Sequence, residues 1–269
     1  MKHSSRTTNL LPLTCSLFPD PCSLFSCKDI TKNYDNIPVV KNISLSLPQG
    51  GFISLLGPSG VGKTTLFNVL AGIDLPDEGK VYLNGEEITG IPGRVGYMPQ
   101  KDLLLEHRTV LDNVILPLLI RGEKKKTARE QTAVFFPQFW LSGCENKYPG
   151  QLSGGMRQRA ALLRTCLTGS KTILLDEPFS ALDAITRVEM QNWYREIAEA
   201  MRLSTFLITH DVEEALLLSD TVYILKGKPG TITHVFKILP PRPRIRDFVV
   251  SQDFTSQKKE ILEAIEEKR

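Results

Sequence analysis

The run Gly57-Pro58-Ser59-Gly60-Val61-Gly62-Lys63-Thr64-Thr65 constrains the fold more than any other stretch, because it matches the phosphate-binding pattern G-x-x-x-x-G-K-[ST] at every fixed position. The apolar residues Phe52-Ile53-Ser54-Leu55-Leu56 ahead of it read as a buried strand, and Leu66-Phe67-Asn68-Val69-Leu70-Ala71 behind it as a helix. Strand, loop and helix in that order predict an α/β architecture with a mainly parallel sheet. Glycines at 57, 60 and 62 let the backbone wrap with its N–H groups inward, and the helix N-terminus adds a partial positive charge. The implied ligand is a nucleoside triphosphate. Lys63 is expected to reach its β- and γ-phosphates and the Thr64 hydroxyl to ligate Mg²⁺, with Pro58, Ser59, Val61 and Thr65 completing the cradle.

Thr172-Ile173-Leu174-Leu175-Asp176-Glu177-Pro178 is a short apolar strand that ends in two carboxylates, so these emerge at the carboxyl edge of the sheet beside the phosphate loop. Asp176 is expected to hold Mg²⁺ directly or through water. Neighbouring strand residues face opposite ways, which leaves Glu177 to orient and deprotonate the water attacking the γ-phosphate as general base. A third element, Leu152-Ser153-Gly154-Gly155-Met156-Arg157-Gln158-Arg159, combines an N-cap serine, two glycines and a helix running from Met156 to Leu167, with Arg157 and Arg159 near its start. It predicts a second anion site. A chain with two phosphate-binding helix ends either binds two ligands or shares one between copies.

The stretch from Leu152 to Arg159 resembles the signature sequence of ATP-binding cassette (ABC) proteins, and the resemblance extends over residues 28–250. It implies a P-loop NTPase core with a small antiparallel β subdomain and an inserted α-helical signature subdomain at about 101–152. It also implies a head-to-tail dimer in which each ATP lies between Lys63 of one copy and Ser153, Gly154 and Gly155 of the other. By the same likeness Tyr34, which precedes the first sheet segment, stacks on adenine, and Gln100 reaches Mg²⁺ and the attacking water. Asp183, in Ser180-Ala181-Leu182-Asp183, lies in the loop that senses the partner's site, and His210 contacts the γ-phosphate and holds Glu177 in line. The phrases Gly93 to Leu105, Leu163 to Ser170 and Leu239-Pro240-Pro241-Arg242-Pro243 look like the nitrate/sulfonate/taurine importer group and lean toward ATPases for pyrimidine precursors of thiamine. That group implies an integral membrane permease, an extracytoplasmic substrate-binding protein and a place on the cytoplasmic face of the cell membrane. Glu106-His107 stand where relatives often carry Pro-Trp, in a loop that faces the permease in the family. Exporters and lipid-extraction systems share the same ATP chemistry and are the alternative reading, followed by a soluble non-transport ABC ATPase.

Composition agrees with one cassette. A chain of 269 residues buries one substantial core with a smaller subdomain, and a mixed net charge of +3 gives no reason to expect nucleic acid as a partner. No apolar run approaches the ~20 residues that span a bilayer. Residues 1–27 hold little charge and include Cys15, Cys22 and Cys27; Leu10 to Phe18 is interrupted by Pro12, and the segment reads as a disordered leader ahead of an ATPase domain at 28–238. With Cys144 and Cys166 isolated, neither zinc nor a disulfide is expected. Ile43 to Leu47 alternates like a half-buried strand, Asn84-Gly85 marks a hairpin, and Thr109 to Asp112 resembles a capping box. Lys124 to Phe136 reads as a helix stopped near Pro137, and 239–269 as an extended Pro-Arg linker followed by a helix from Ser256 to Glu267.

Overall fold

A computed structural model describes residues 23–180, 182–242, 244 and 246–267. Two sheets organise them. The first is antiparallel, in the order β2 (Ile37–Pro48), β1 (Ser23–Tyr34), β4 (Glu78–Leu83), β5 (Glu86–Glu87). The second has the order β10 (Thr231–Lys237), β9 (Thr221–Lys226), β3 (Phe52–Leu56), β8 (Ser204–Thr209), β7 (Thr172–Asp176), β6 (Gly96–Met98) and is parallel except for β10. β3, β7 and β8 are buried along their whole length, as apolar runs in the middle of a two-sided parallel sheet must be.

The period-2 alternation of these strands divides the core. Ile53, Leu55, Leu174, Phe206 and Ile208 meet Phe25, Ile30 and Ile43 of the antiparallel sheet together with Leu66 and Phe67 of α1 (Lys63–Leu70). Phe52, Ile173, Leu175 and Leu207 point the other way, into a cluster shared with the helices inserted between β6 and β7 and with α6 (Ala184–Ala200). The inserted helices are α2 (Val110–Val114), α3 (Leu116–Ile120), α4 (Lys125–Ala133) and the signature helix α5 (Gly154–Cys166). Thr109 caps α2 by accepting from Asp112 N at 3.2 Å, and Asp112 in turn pairs with Lys125 and Arg129, fastening α4 to it. No helix among the described residues is long and apolar enough to cross a membrane.

Three expectations need correction. Ser23 to Cys27, assigned to the leader, open β1: Phe25 and Cys27 are buried and register with Leu47 and Leu45 of β2, so the domain starts no later than Ser23. Low charge there signals a strand interior, and burial pushes the Cys27 thiol up to about 12. The leader's remainder lies outside the described residues. Tyr34, expected ahead of the first sheet segment, is the last residue of β1.

The third concerns the Pro-Arg run, which is folded onto the core. Arg242 pairs with Asp220 through Nε–Oδ1 and Nη2–Oδ2 contacts of 2.8 Å, and Asp220 Oδ2 also accepts from Phe52 N at the start of β3. Arg244 is buried, and its guanidinium donates to the carbonyls of Ser219 at 2.8 Å, Pro240 at 2.8 Å, Ile238 at 3.1 Å and Leu217 at 3.4 Å. Leu217 and Ser219 close the end of α7 (Val212–Leu218), so a cation sits where the helix dipole favours one. Burial depresses the Arg244 pKa to about 10. The terminal helix α9 (Gln252–Glu266), reached through the short α8 (Arg246–Val249), then packs Phe254 and Ile261 against Val212, Ala215 and Leu216 of α7. Arg244→Lys keeps the charge but not the planar fork of donors, and is expected to destabilise the fold by about 2 kcal/mol or more. Calorimetric unfolding checks this; an unchanged midpoint would contradict it.

Candidate active site

Parallel register brings the predicted residues to one edge. Leu56 of β3 lies opposite Thr209 of β8, and Asp176 of β7 opposite Ile208, so the loop from Gly57, the carboxylates and His210 all leave the sheet side by side. The loop needs glycine at two of its positions for space, and at Gly62 for backbone angle as well. A Cβ on Gly57 would lie 2.4 Å from Leu225 O; at Gly62, φ is 104° and a Cβ would fall 2.6 Å from Val40 Cγ1. Gly62 is the N-cap of α1 and brings no capping side chain, which leaves the first-turn N–H groups facing the loop through Pro58, Ser59, Gly60 and Val61. Lys63 is buried and folds back, donating from Nζ to Gly57 O at 2.8 Å and Pro58 O at 3.0 Å. Desolvation lowers its pKa against the opposing pull of Glu177 and Asp176.

Thr64 Oγ1 donates to Asp176 Oδ2 at 2.9 Å. Asp176 belongs to the strand face that carries Leu174, the face toward α1, which is why it and not Glu177 meets the P-loop helix. Burial raises the Asp176 pKa, offset by the Thr64 hydrogen bond. A buried carboxylate beside a hydroxyl is an all-oxygen pair suited to a hard divalent cation. Glu177 departs from the strand with φ 48°, in the left-handed region that non-glycine residues seldom occupy. This turn aims its carboxylate at two other elements: Oε2 lies 3.2 Å from His210 Nδ1 and accepts from Gln100 Nε2 at 3.5 Å.

Ser153 caps α5 by accepting from Met156 N at 3.3 Å, so Gly154 and Gly155 form the first turn, with Gly154 open and Gly155 against Leu182 and Thr186. Asp183 caps α6, accepting from Ile185 N at 3.2 Å and Thr186 N at 3.1 Å. Arg157, expected to serve an anion, is instead paired with Asp102 at 3.1 Å and donates to Leu152 O, while Arg159 lies over the Trp140 ring. Arg164 donates to the carbonyls of Leu103 and Asp102, so the signature helix grips the segment that follows Gln100. Sequence reasoning missed this grip, since Asp102 stands 55 residues from Arg157. Tyr34 is 44% exposed, with its hydroxyl on Asp74 Oδ2 at 2.5 Å and the Thr65 side chain beside it.

A loop that cradles phosphates, an acidic strand end and a histidine meeting one carboxylate define a P-loop nucleoside triphosphatase. Residues 40–180 match the ABC transporter family. The chain is 44% identical over 192 residues to the formylaminopyrimidine import ATP-binding protein ThiZ of Halalkalibacterium halodurans, covering 71% of this chain and 75% of that protein. It is 35% identical to the aliphatic sulfonates import ATP-binding protein SsuB of Bacillus cereus, over 89% of this chain and 93% of that one. Among solved structures, the dimeric post-hydrolysis state of the ATP-binding cassette MJ0796 bound to ADP and Pi superposes with a TM-score of 0.72 at 28% identity, over 81% of this chain and all of that chain. This chain belongs to the ABC transporter family and is one of its ATPases.

Proposed function

We propose that the chain powers uptake of a small organic or anionic solute through a separate integral membrane permease, docked at the cytoplasmic face of the membrane. It is the ATP-binding and ATP-hydrolysing subunit of an ABC importer. The observation that carries the reading is the convergence of His210 and Gln100 on one oxygen of Glu177, next to the Thr64–Asp176 pair. In this reading Glu177 takes the proton of the attacking water, while His210 and Gln100 keep its carboxylate in line. Lys63 and the loop amides from Gly57 to Thr65 hold the β- and γ-phosphates. Thr64 and Asp176, with Gln100 nearby, would hold Mg²⁺, which supplies charge neutralisation between the phosphates.

The signature residues Ser153, Gly154 and Gly155, with Asp183, complete the site of a second copy, as a nucleotide shared between two helix ends requires. The dimeric cassette of similar fold supports this arrangement. Names of the similar import ATPases, for formylaminopyrimidine and for aliphatic sulfonates, support import and a small charged or heterocyclic solute. An extracytoplasmic substrate-binding protein would deliver that solute. Affinity purification of the tagged Glu177→Gln chain with ATP from detergent-solubilised membranes of its host tests the assembly. A polytopic permease among the partners is expected; recovery of soluble proteins alone would overturn the proposal.

A further inference from the structure

We propose that Asp74, braced by Lys32, is a positioning residue that fixes the Tyr34 ring against the P-loop helix as the platform for the nucleotide base. The proposal rests on the reading of Tyr34 as the base-stacking aromatic. Tyr34 stands at the end of β1, and the next two residues, Asp35 and Asn36, turn the chain with φ of 50° and 63°. A side chain at such a strand end, 44% exposed, has little packing to set its direction. Its direction comes from its hydroxyl, which donates to Asp74 Oδ2 at 2.5 Å.

Asp74 is tied to the helix that binds phosphate. Both Ile73 N and Asp74 N donate to Asn68 O, at 2.9 and 3.1 Å, closing the end of α1 just beyond Leu70. Lys63, Thr64 and Thr65 begin that same helix, so Asp74 refers the ring to the element that fixes the phosphates. Lys32 completes the brace: its Nζ lies 3.1 Å from Asp74 Oδ1, donates to Leu75 O at 2.8 Å, and sits 5.1 Å from the centroid of the Tyr34 ring. The ammonium covers one face of the ring by a cation–π contact. The base is therefore received on the opposite face.

The electrostatics agree with a fixed donor and acceptor. The Tyr34 hydrogen bond, then Lys32, holds the Asp74 carboxyl below its ordinary range, and the same hydrogen bond raises the Tyr34 phenol, so a neutral phenol donates to a carboxylate. Stacking restricts where a base sits only if its platform does not swing, so losing the tether weakens base-dependent affinity and leaves phosphate binding alone.

The test compares Tyr34→Ala, Tyr34→Phe, Asp74→Ala and the Tyr34→Phe/Asp74→Ala double variant of the full chain by calorimetric titration with Mg·ATP and with inorganic tripolyphosphate, which has no base. Tyr34→Ala is expected to weaken ATP about tenfold or more, and Tyr34→Phe and Asp74→Ala about threefold to tenfold each. The double variant should lose less than the sum of the two single losses, because both remove the same Tyr34–Asp74 hydrogen bond. Tripolyphosphate affinity should stay within twofold of wild type, since that ligand has no base to stack. If Tyr34→Ala binds ATP normally, the base-stacking reading itself fails. If Tyr34→Ala weakens ATP while Asp74→Ala does not, that reading stands and the role of Asp74 falls. Additive losses in the double variant, or an equal loss of tripolyphosphate binding, would overturn it too.

Discussion

Glu177→Gln is expected to bind Mg·ATP about as tightly as the wild-type chain while its turnover falls by roughly 10²-fold or more, the range over which a positioned general base contributes. The substitution is nearly isosteric. Its amide oxygen can still accept from His210 and from Gln100, which approach Glu177 Oε2 at 3.2 and 3.5 Å. The φ of 48° at residue 177 is set by the turn after β7 and by the bond from Glu177 N to Ile208 O, neither of which involves the side chain. What disappears is the carboxylate proposed to accept the proton of the attacking water. In the proposed dimer, hydrolysis breaks the ATP bridge between copies, so the variant should accumulate as an ATP-bound dimer. Phosphate release and size-exclusion chromatography with ATP read the two effects separately. Turnover within tenfold of wild type would remove Glu177 from the role of base.

Much of this site was legible in the sequence because its parts are tied to local backbone rules. Gly57 and Gly62 announce a loop whose close approaches and positive φ admit no side chain, and Ser153, Thr109 and Asp183 announce helix starts because a short polar side chain can accept from amides two or three residues on. The apolar runs at 52–56, 172–176 and 204–209 announce buried strands for the same kind of reason. Long-range partnerships carry no such local mark. Arg157 reads as a cation beside an anion site, yet it pairs with Asp102, and Arg164 on the same helix holds the carbonyls of residues 102 and 103. The Pro-Arg run has the composition of an extended linker, and only the carbonyls around Arg244, gathered from residues 217, 219, 238 and 240, make burial of a guanidinium tolerable. Low charge before residue 28 suits a leader as well as a strand interior; for residues 23–27, pairing with β2 and β4 decides between them.

Lys63→Ala is expected to lose productive nucleotide binding, with the Kd for Mg·ATP rising at least about 100-fold, a difference near 3 kcal/mol. Lys63 is buried at the mouth of α1 with its ammonium held by Gly57 O and Pro58 O, so its charge is already desolvated and its position already restricted. A cation prepared in this way attracts a triphosphate more strongly than a surface lysine, which must shed water and settle first. The carboxylates of Glu177 and Asp176 lie close enough to oppose the fall in its pKa. Removing the ammonium therefore leaves two neighbouring carboxylates facing the incoming phosphates without the positive charge between them. Repulsion then adds to the lost attraction, which makes this the largest binding effect expected from one side chain. Asp176 keeps its hydrogen bond from Thr64 in the variant, so the fold should survive. Titration with Mg·ATP measures the affinity and far-ultraviolet circular dichroism checks the fold; normal ATP affinity in a folded variant would refute the account of the phosphate loop.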